Sequence, residues 1–279
     1  GTPFNLFGPQ AQEQVVTAHR IESTFAGRPL VIEVGKLAKQ AAGSAELRFG
    51  ETVVLAAVTV SPNQSSLPFF PLTVEYRERT YAAGKFPGGF IKRETRPSDK
   101  EILAARGVDR SIRPLFPEGF KNEVQVFVTV LSADQENDAD VLGVVAASLA
   151  LSVSSVPWSG PIAAVGVGRV EGNRIVNPTF QQLEFSTVDM TVSGSADSIV
   201  MVEGGALEVS EAEVLEALKV AQKGIKELLG HQEKLIAKAR SKAQAANAAQ
   251  TKAAPAAQTV EPKQAAAPAN VETPKEVAA

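Results

Sequence analysis

Apolar and polar residues alternate over Phe70–Tyr76, which sets Leu72, Val74 and Tyr76 on one face. They alternate again over Val124–Leu131, where Val124, Val126, Val128 and Val130 face together. A period of two marks a strand with one buried face. Leu30–Val34 and Val53–Val60 are short Val-, Leu- and Ala-rich runs flanked by Gly or Pro, which predicts buried strands. Ile162–Val170, Val188–Ser193 and Ser198–Glu203 are predicted strands as well. Gly172 and Asn173 predict a hairpin turn between Val170 and Ile175.

Three segments change to a helical period. The first opens at Ser98 with Glu101 three residues on, a capping box, and its apolar stripe reads Ile102, Ala105, Val108, Ile112 and Leu115. Pro114 and Pro117 end it. The second covers Asp138 to Ser152 and is apolar and small-sided on most faces, so it is predicted to lie buried against a sheet. The third starts at Ser210, with Glu213 completing another capping box and Val214, Leu218, Ala221, Ile225 and Leu228 facing inward. Strands and helices in this order predict an α+β class with helices over mixed sheets. Residues 21–230 form the predicted core domain, and residues 1–20 a flexible N-terminal segment. Residues 231–279 are predicted to be a helical extension followed by a disordered Ala/Pro/Lys-rich tail or linker. From residue 241 on, almost no large apolar side chain offsets the entropy of ordering.

The 279 residues carry a formal charge of −3 and no cysteine. That excludes disulfide scaffolds, thiolate metal sites and cysteine nucleophiles, and agrees with a reducing, cytoplasmic setting. No apolar run is long enough to span a bilayer, and no signal peptide is read at the N-terminus. The first residue is Gly rather than Met, so a processed chain or a piece of a longer one is expected.

Against this mildly acidic background, one segment gathers cations. From Gly84 to Phe120 the chain reads GKFPGGFIKRETRPSDKEILAARGVDRSIRPLFPEGF, with Arg93, Arg96, Arg106, Arg110 and Arg113 inside it. Guanidinium groups concentrated in one place on an acidic chain predict a polyanion as partner. Phe90 offers a π-face to a base, while Lys92 and Arg93 offer charge to a phosphate backbone. Gly88 and Gly89 give the loop room to approach a strand closely. Arg106, Arg110 and Arg113 fall on one helical face; a solvated or salt-bridged face is one reading, since Asp109 can pair with Arg113 at i+4.

Other motifs carry less. GVGRVEG at Gly166–Gly172 lacks the third glycine of a dinucleotide fingerprint and opens a hairpin rather than a helix. Asp134, Glu136, Asp138 and Asp140 lack the glycine and terminal glutamate of a calcium loop, and as an acidic helix start they are explained by the macrodipole. His19 and His231 are expected in solvated roles.

The run FFPLTVEYRERTYAAGKFPGGFIKRETRPSDKEILAARGVDRSIRPLFPEGF resembles the first RNase PH-type core domain of bacterial polynucleotide phosphorylases. The resemblance continues through EVQVFVTVLS, GVVAASLALS, GPIAAVGVGR, VDMTVSGS and IVMVEGGA, and covers about Pro29 to Leu229. It implies a ribosomal protein S5 domain 2-like (RNase PH) fold and a trimeric ring that threads single-stranded RNA. It also implies a phosphorolytic 3′–5′ exoribonuclease of mRNA degradation, with Mg2+ in the complete enzyme and no cofactor in this chain. In the family a Phe-Phe-Arg-Arg loop lines the channel. Here it reads Phe90, Ile91, Lys92, Arg93, with Arg96 close by. For Arg106, Arg110 and Arg113 the other reading, contact with RNA or a neighbouring subunit, rests on the family resemblance of their segment. Ile91 cannot stack as Phe does and Lys92 cannot make a planar bidentate contact, so a weaker grip is expected.

The resemblance also bears on catalysis. The family's phosphate cradle is a Ser-rich turn at the helix start, where this chain reads Glu136, Asn137, Asp138, Ala139, Asp140. The family's catalytic Asp falls at Thr187. The chain is therefore expected to be non-catalytic alone, with no catalytic and no metal-binding residue of its own. A second RNase PH core domain is expected as its partner, in cis or in trans. A stand-alone RNA-binding scaffold is the alternative, and a nucleotide-binding protein of the same fold a third reading.

Overall fold

The computed structural model describes residues 18–94 and 96–253, with side chains described as far as residue 241. A six-stranded and a four-stranded sheet enclose one buried helix. The first sheet begins as a meander: β1 (His19–Phe25), β2 (Arg28–Val34), β3 (Gly43–Phe49) and β4 (Thr52–Gln64) pair antiparallel in sequence order. β6 (Asn122–Ser132) then pairs antiparallel with β4, and β5 (Leu72–Glu78) lies parallel to β6 at the edge. A parallel neighbour requires a crossover, and α1 (Asp99–Ile112) supplies it. Val124, Val126, Val128 and Val130 are buried on β6 as the alternation predicts, while Phe127 points the other way and is exposed.

α2 (Ala139–Val153) leaves β6 and fills the space between the sheets, buried at every residue from Val141 to Ser152. Its small side chains permit close approach. At Gly43 of β3 an added Cβ would lie 2.2 Å from the Ala150 carbonyl oxygen. The second sheet consists of β7 (Ala163–Val170), β8 (Asn173–Val176), β9 (Val188–Gly194) and β10 (Ile199–Ala206), in spatial order β10-β9-β7-β8. α3 (Phe180–Glu184) bridges β8 and β9, and α4 (Glu211–Ala253) packs against β7, β9 and β1. A buried polar lock joins α2, α4 and the entry to β7. Ser148 Oγ donates to Gln232 Oε1 at 3.0 Å and accepts from the Ile162 amide at 3.0 Å, while Gln232 Nε2 donates to the Ile162 carbonyl at 2.8 Å.

The α+β class and both expected capping boxes are present: Ser98 with Glu101, and Ser210 with Glu213. Three differences have physical reasons. β1 begins at His19, inside the segment expected to be flexible, because Ile21, Ser23 and Phe25 alternate and pair along all of β2. Ile102 is 45% exposed, because α1 turns Ala104, Val108 and Ile112 inward at i, i+4, i+8. α4 runs on to Ala253, past residue 241 where a tail was expected. The rest of that tail and residues 1–17 lie outside the described residues. Among the described residues no helix is long and apolar enough to cross a membrane.

Candidate nucleic-acid interface

The basic segment is a clasp fastened at the end of β5. There Thr80–Ala83 forms a short 3-10 turn, closed by Gly84 at φ 68°. The Lys85 amide returns a hydrogen bond to the Thr80 carbonyl at 3.0 Å. From the far side, Glu94 Oε1 accepts from both the amide and the hydroxyl of Thr80, each at 2.6 Å, and its Oε2 accepts from Arg79 Nη1 at 3.1 Å. These bonds, the Thr80 hydroxyl first, hold the Glu94 carboxyl below the usual range. Glu101, the capping-box residue of α1, accepts from the Glu78 amide at 2.9 Å. Both ends of the loop thus meet at residues 78–80.

Between those fastenings the tip projects. Phe90 is 102% exposed, Ile91 71% and Phe86 90%. Gly89 turns at φ 78°, a conformation that favours glycine, and Lys92 also sits at positive φ, 55°. Lys92, Arg93 and Arg96 are exposed, and none forms an ion pair among the described residues. Sequence reasoning missed Lys85 and Phe86, which mirror Phe90–Lys92 across Pro87–Gly89. It also missed Glu94, whose partner Thr80 lies fourteen residues upstream, beyond any local pattern.

The arginines of α1 and of its C-cap, Arg113, divide. Arg113 makes the expected pair with Asp109, at 2.9 and 2.6 Å, and also donates to the Phe70 and Leu72 carbonyls at 3.3 and 3.1 Å. It is committed to fixing α1 on β5. Arg110 pairs with Glu203 of β10 at 2.9 Å. Arg106 is exposed, with no ion pair among the described residues. Of the histidines, His231 lies 3.3 Å from Ser23 Oγ, so it ties α4 to β1 rather than facing only solvent.

A second feature lies at the start of α2. Asp134 Oδ1 accepts from the Glu136 and Asn137 amides at 2.9 and 2.8 Å. Burial pushes its carboxyl up, but these bonds outweigh it and hold the group at about 2. Arg28 lies over the Phe49 ring at 4.5 Å and donates to Asn137 and to the Asn177 carbonyl. A cavity of about 20 Å³, room for one water, is lined by Asn137, Asp138, Gly166, Asn177, Asp189 and Thr191. Asp138 caps the helix by accepting from the Asp140 amide at 3.0 Å. Burial pushes Asp138 up, and so does Asp189. Asp140 is pushed up to about 6 by burial and by Asp138, against the pull of Lys100. Tyr76, 2% exposed, faces the same carboxylates and is raised by burial. Thr187 exchanges hydrogen bonds with Arg169. The helix start that could receive an anion is thus occupied by carboxylates. Among the described residues no group of three or more His, Cys, Asp or Glu is placed to hold a metal.

Residues 26–157 match the family model described as 3′ exoribonuclease family, domain 1, and residues 160–224 match domain 2 of that family. The chain is 73% identical over 222 residues to a polyribonucleotide nucleotidyltransferase of Gemmatimonas aurantiaca, covering 80% of this chain and 30% of the relative. It is 55% identical over 219 residues to that of Thermus thermophilus, covering 78% and 31%. With that of Halalkalibacterium halodurans the identity is 54% over 219 residues, again covering 78% and 31%. The chain therefore spans about 30% of the length of these curated relatives.

Proposed function

The chain belongs to the RNase PH-type 3′ exoribonuclease family, and from that membership we propose that it is the RNA-binding, ring-forming first core domain of a phosphorolytic 3′–5′ exoribonuclease. In this reading it grips single-stranded RNA for a polyribonucleotide nucleotidyltransferase in cytoplasmic mRNA degradation. It assembles as a trimer and works with a second RNase PH core domain that performs the chemistry. The observation that carries the reading is the clasped loop: Phe90 stands wholly in solvent, beside Lys92 and Arg93, on a base fixed by Glu94 and Thr80. A stacking face beside cations grips any base and any phosphate, as a processive exonuclease requires. Arg96 and Arg106 extend the cationic surface, and Arg110 contributes to RNA or to a subunit contact once Glu203 is displaced.

The start of α2 supports the non-catalytic half of the reading. Inorganic phosphate needs free amides and cations, but here Asp138 takes the Asp140 amide and Asp189 lies nearby. Magnesium fits no better. Thr187 stands where the family places a carboxylate, its hydroxyl is engaged by Arg169, and Lys100 already offers its charge to Asp138 and Asp140. In this reading the Mg2+ of the complete enzyme belongs to the partner domain. Anisotropy of a labelled oligoribonucleotide tests the reading: binding that mononucleotides fail to displace supports it, and efficient displacement by mononucleotides refutes it. Release of nucleoside diphosphates from poly(A) by the purified chain in phosphate would refute the non-catalytic assignment.

A further inference from the structure

We propose that Phe86 is a second stacking residue for the bound strand, acting with Phe90, from which only Pro87, Gly88 and Gly89 separate it. This deepens the RNA-binding reading above and rests on it.

A single exposed apolar side chain needs no explanation. Two phenylalanines, 90% and 102% exposed, in one five-residue bend are a different matter. No ring contact joins either to another aromatic among the described residues. The backbone spacing from residue 86 to residue 90 is at most about 14 Å, and the positive φ of Gly89 shortens it. The charges repeat the same symmetry. Lys85 precedes Phe86, Lys92 and Arg93 follow Phe90, and Glu94, the nearest carboxylate in sequence, is turned back onto Thr80. The tip therefore presents cations and π-faces and no carboxylate, a surface complementary to a polyanion that carries rings. Ile91, between Phe90 and Lys92, has no π-face to offer. Two exposed rings four residues apart, with only Pro87, Gly88 and Gly89 between them, let successive bases of a single strand rest on successive rings. No edge-reading side chain is required, so the contact tolerates any sequence.

The test separates bases from phosphates. The full chain and its Phe86→Ala, Phe86→Tyr, Phe90→Ala and Lys92→Ala/Arg93→Ala variants are titrated against a fluorescein-labelled oligoadenylate. The same titrations are run with an abasic oligonucleotide of equal length, which keeps the phosphates and lacks the rings. Phe86→Ala should weaken oligoadenylate binding about tenfold and leave abasic binding unchanged, while Phe86→Tyr retains wild-type affinity. Lys92→Ala/Arg93→Ala should weaken both ligands. If Phe86→Ala leaves oligoadenylate binding intact while Phe90→Ala or the double variant reduces it, the inference falls and the RNA-binding reading stands. Equal losses on both ligands in Phe86→Ala, or a loss in Phe86→Tyr matching that in Phe86→Ala, also overturn the inference. If neither Phe90→Ala nor the double variant changes any affinity, the RNA-binding reading itself is wrong.

Discussion

Glu94 Oε1 sits 2.6 Å from both the amide and the hydroxyl of Thr80, and so fastens the exit of an exposed loop to its entrance. The consequence is preorganisation: the cationic tip is held open without being packed against the core. Glu94→Ala removes a negative charge, which by Coulomb attraction alone would tighten RNA binding. The clasp account predicts the opposite, a several-fold weaker affinity from the cost of reordering the loop. Hydrogen exchange should report faster opening at the Thr80 and Lys85 amides. Tighter RNA binding in this variant would contradict the role of the clasp.

The same carboxylate gives the clasp a pH dependence. Its folded pKa is depressed, so its contribution is full above the ordinary glutamate range and is lost as pH falls through the lowered value. Thr80 amide protection should therefore fall over that acidic range, as the hydrogen bonds that Glu94 accepts from Thr80 are lost. Protection that is flat with pH would detach Glu94 from the loop's order.

Phosphate contacts make a quantitative salt prediction. Each one to a single strand contributes about 0.7 to the slope of log affinity against log salt. Lys92→Ala/Arg93→Ala should therefore lower that slope by about 1.4 if both side chains touch phosphates. Arg113→Ala should leave the slope unchanged and lower the melting temperature, because Arg113 is engaged by Asp109, Phe70 and Leu72.

At the start of α2 the sign reverses. Asp140 is raised to about 6 by burial and by Asp138, with Lys100 opposing, so the folded state holds a proton that the unfolded chain has released. This group's contribution to stability falls as pH rises from the ordinary aspartate value towards 6, and stays reduced above it. The neighbouring charges include Asp138, Glu78 and Lys100, with the Tyr76 hydroxyl beside them. Asp140→Asn removes the repulsion and should raise stability at neutral pH by about 1 kcal/mol, flattening the decline in that window. Destabilisation at neutral pH would show that Lys100 more than compensates the pair.

Gln232 offers a test of the core. Its side chain is wholly buried and bonded to Ser148 and to the Ile162 carbonyl. Gln232→Ala leaves those groups unsatisfied and should cost about 2 kcal/mol in denaturant unfolding, with no change in RNA affinity at a temperature where the variant is folded.

Much of the fold was legible because local rules and tertiary packing agree. Ser98–Glu101 and Ser210–Glu213 cap helices where the sequence places them, and the valines of β6 are buried by their alternation. Local pattern failed where a distant partner decides. Ile102 fits the stripe of α1 but faces outward, since β5 and α2 receive the Ala104–Val108–Ile112 face. β3 opens with Gly43–Ser44–Ala45, too small-sided to signal a strand, yet that smallness lets α2 pack close. For the site, Phe90 and its basic neighbours were legible from composition, whereas Glu94 looked like one more charge in a basic run. The raised carboxyls of Asp138 and Asp140 were hidden as well, because the groups beyond the turn that act on them, Lys100 of α1 on both, Asp189 of β9 on Asp138 and Tyr76 of β5 on Asp140, are distant in sequence.

The central claim is that a single strand runs across the tip of this loop. Photo-crosslinking of the full chain to a 4-thiouridine-labelled oligoribonucleotide, followed by peptide mass spectrometry, tests it most directly. The account predicts adducts concentrated on residues 85–93, lost with excess unlabelled strand. Adducts confined to the outer face of the six-stranded sheet around Phe127, with the loop peptide unmodified, would contradict it.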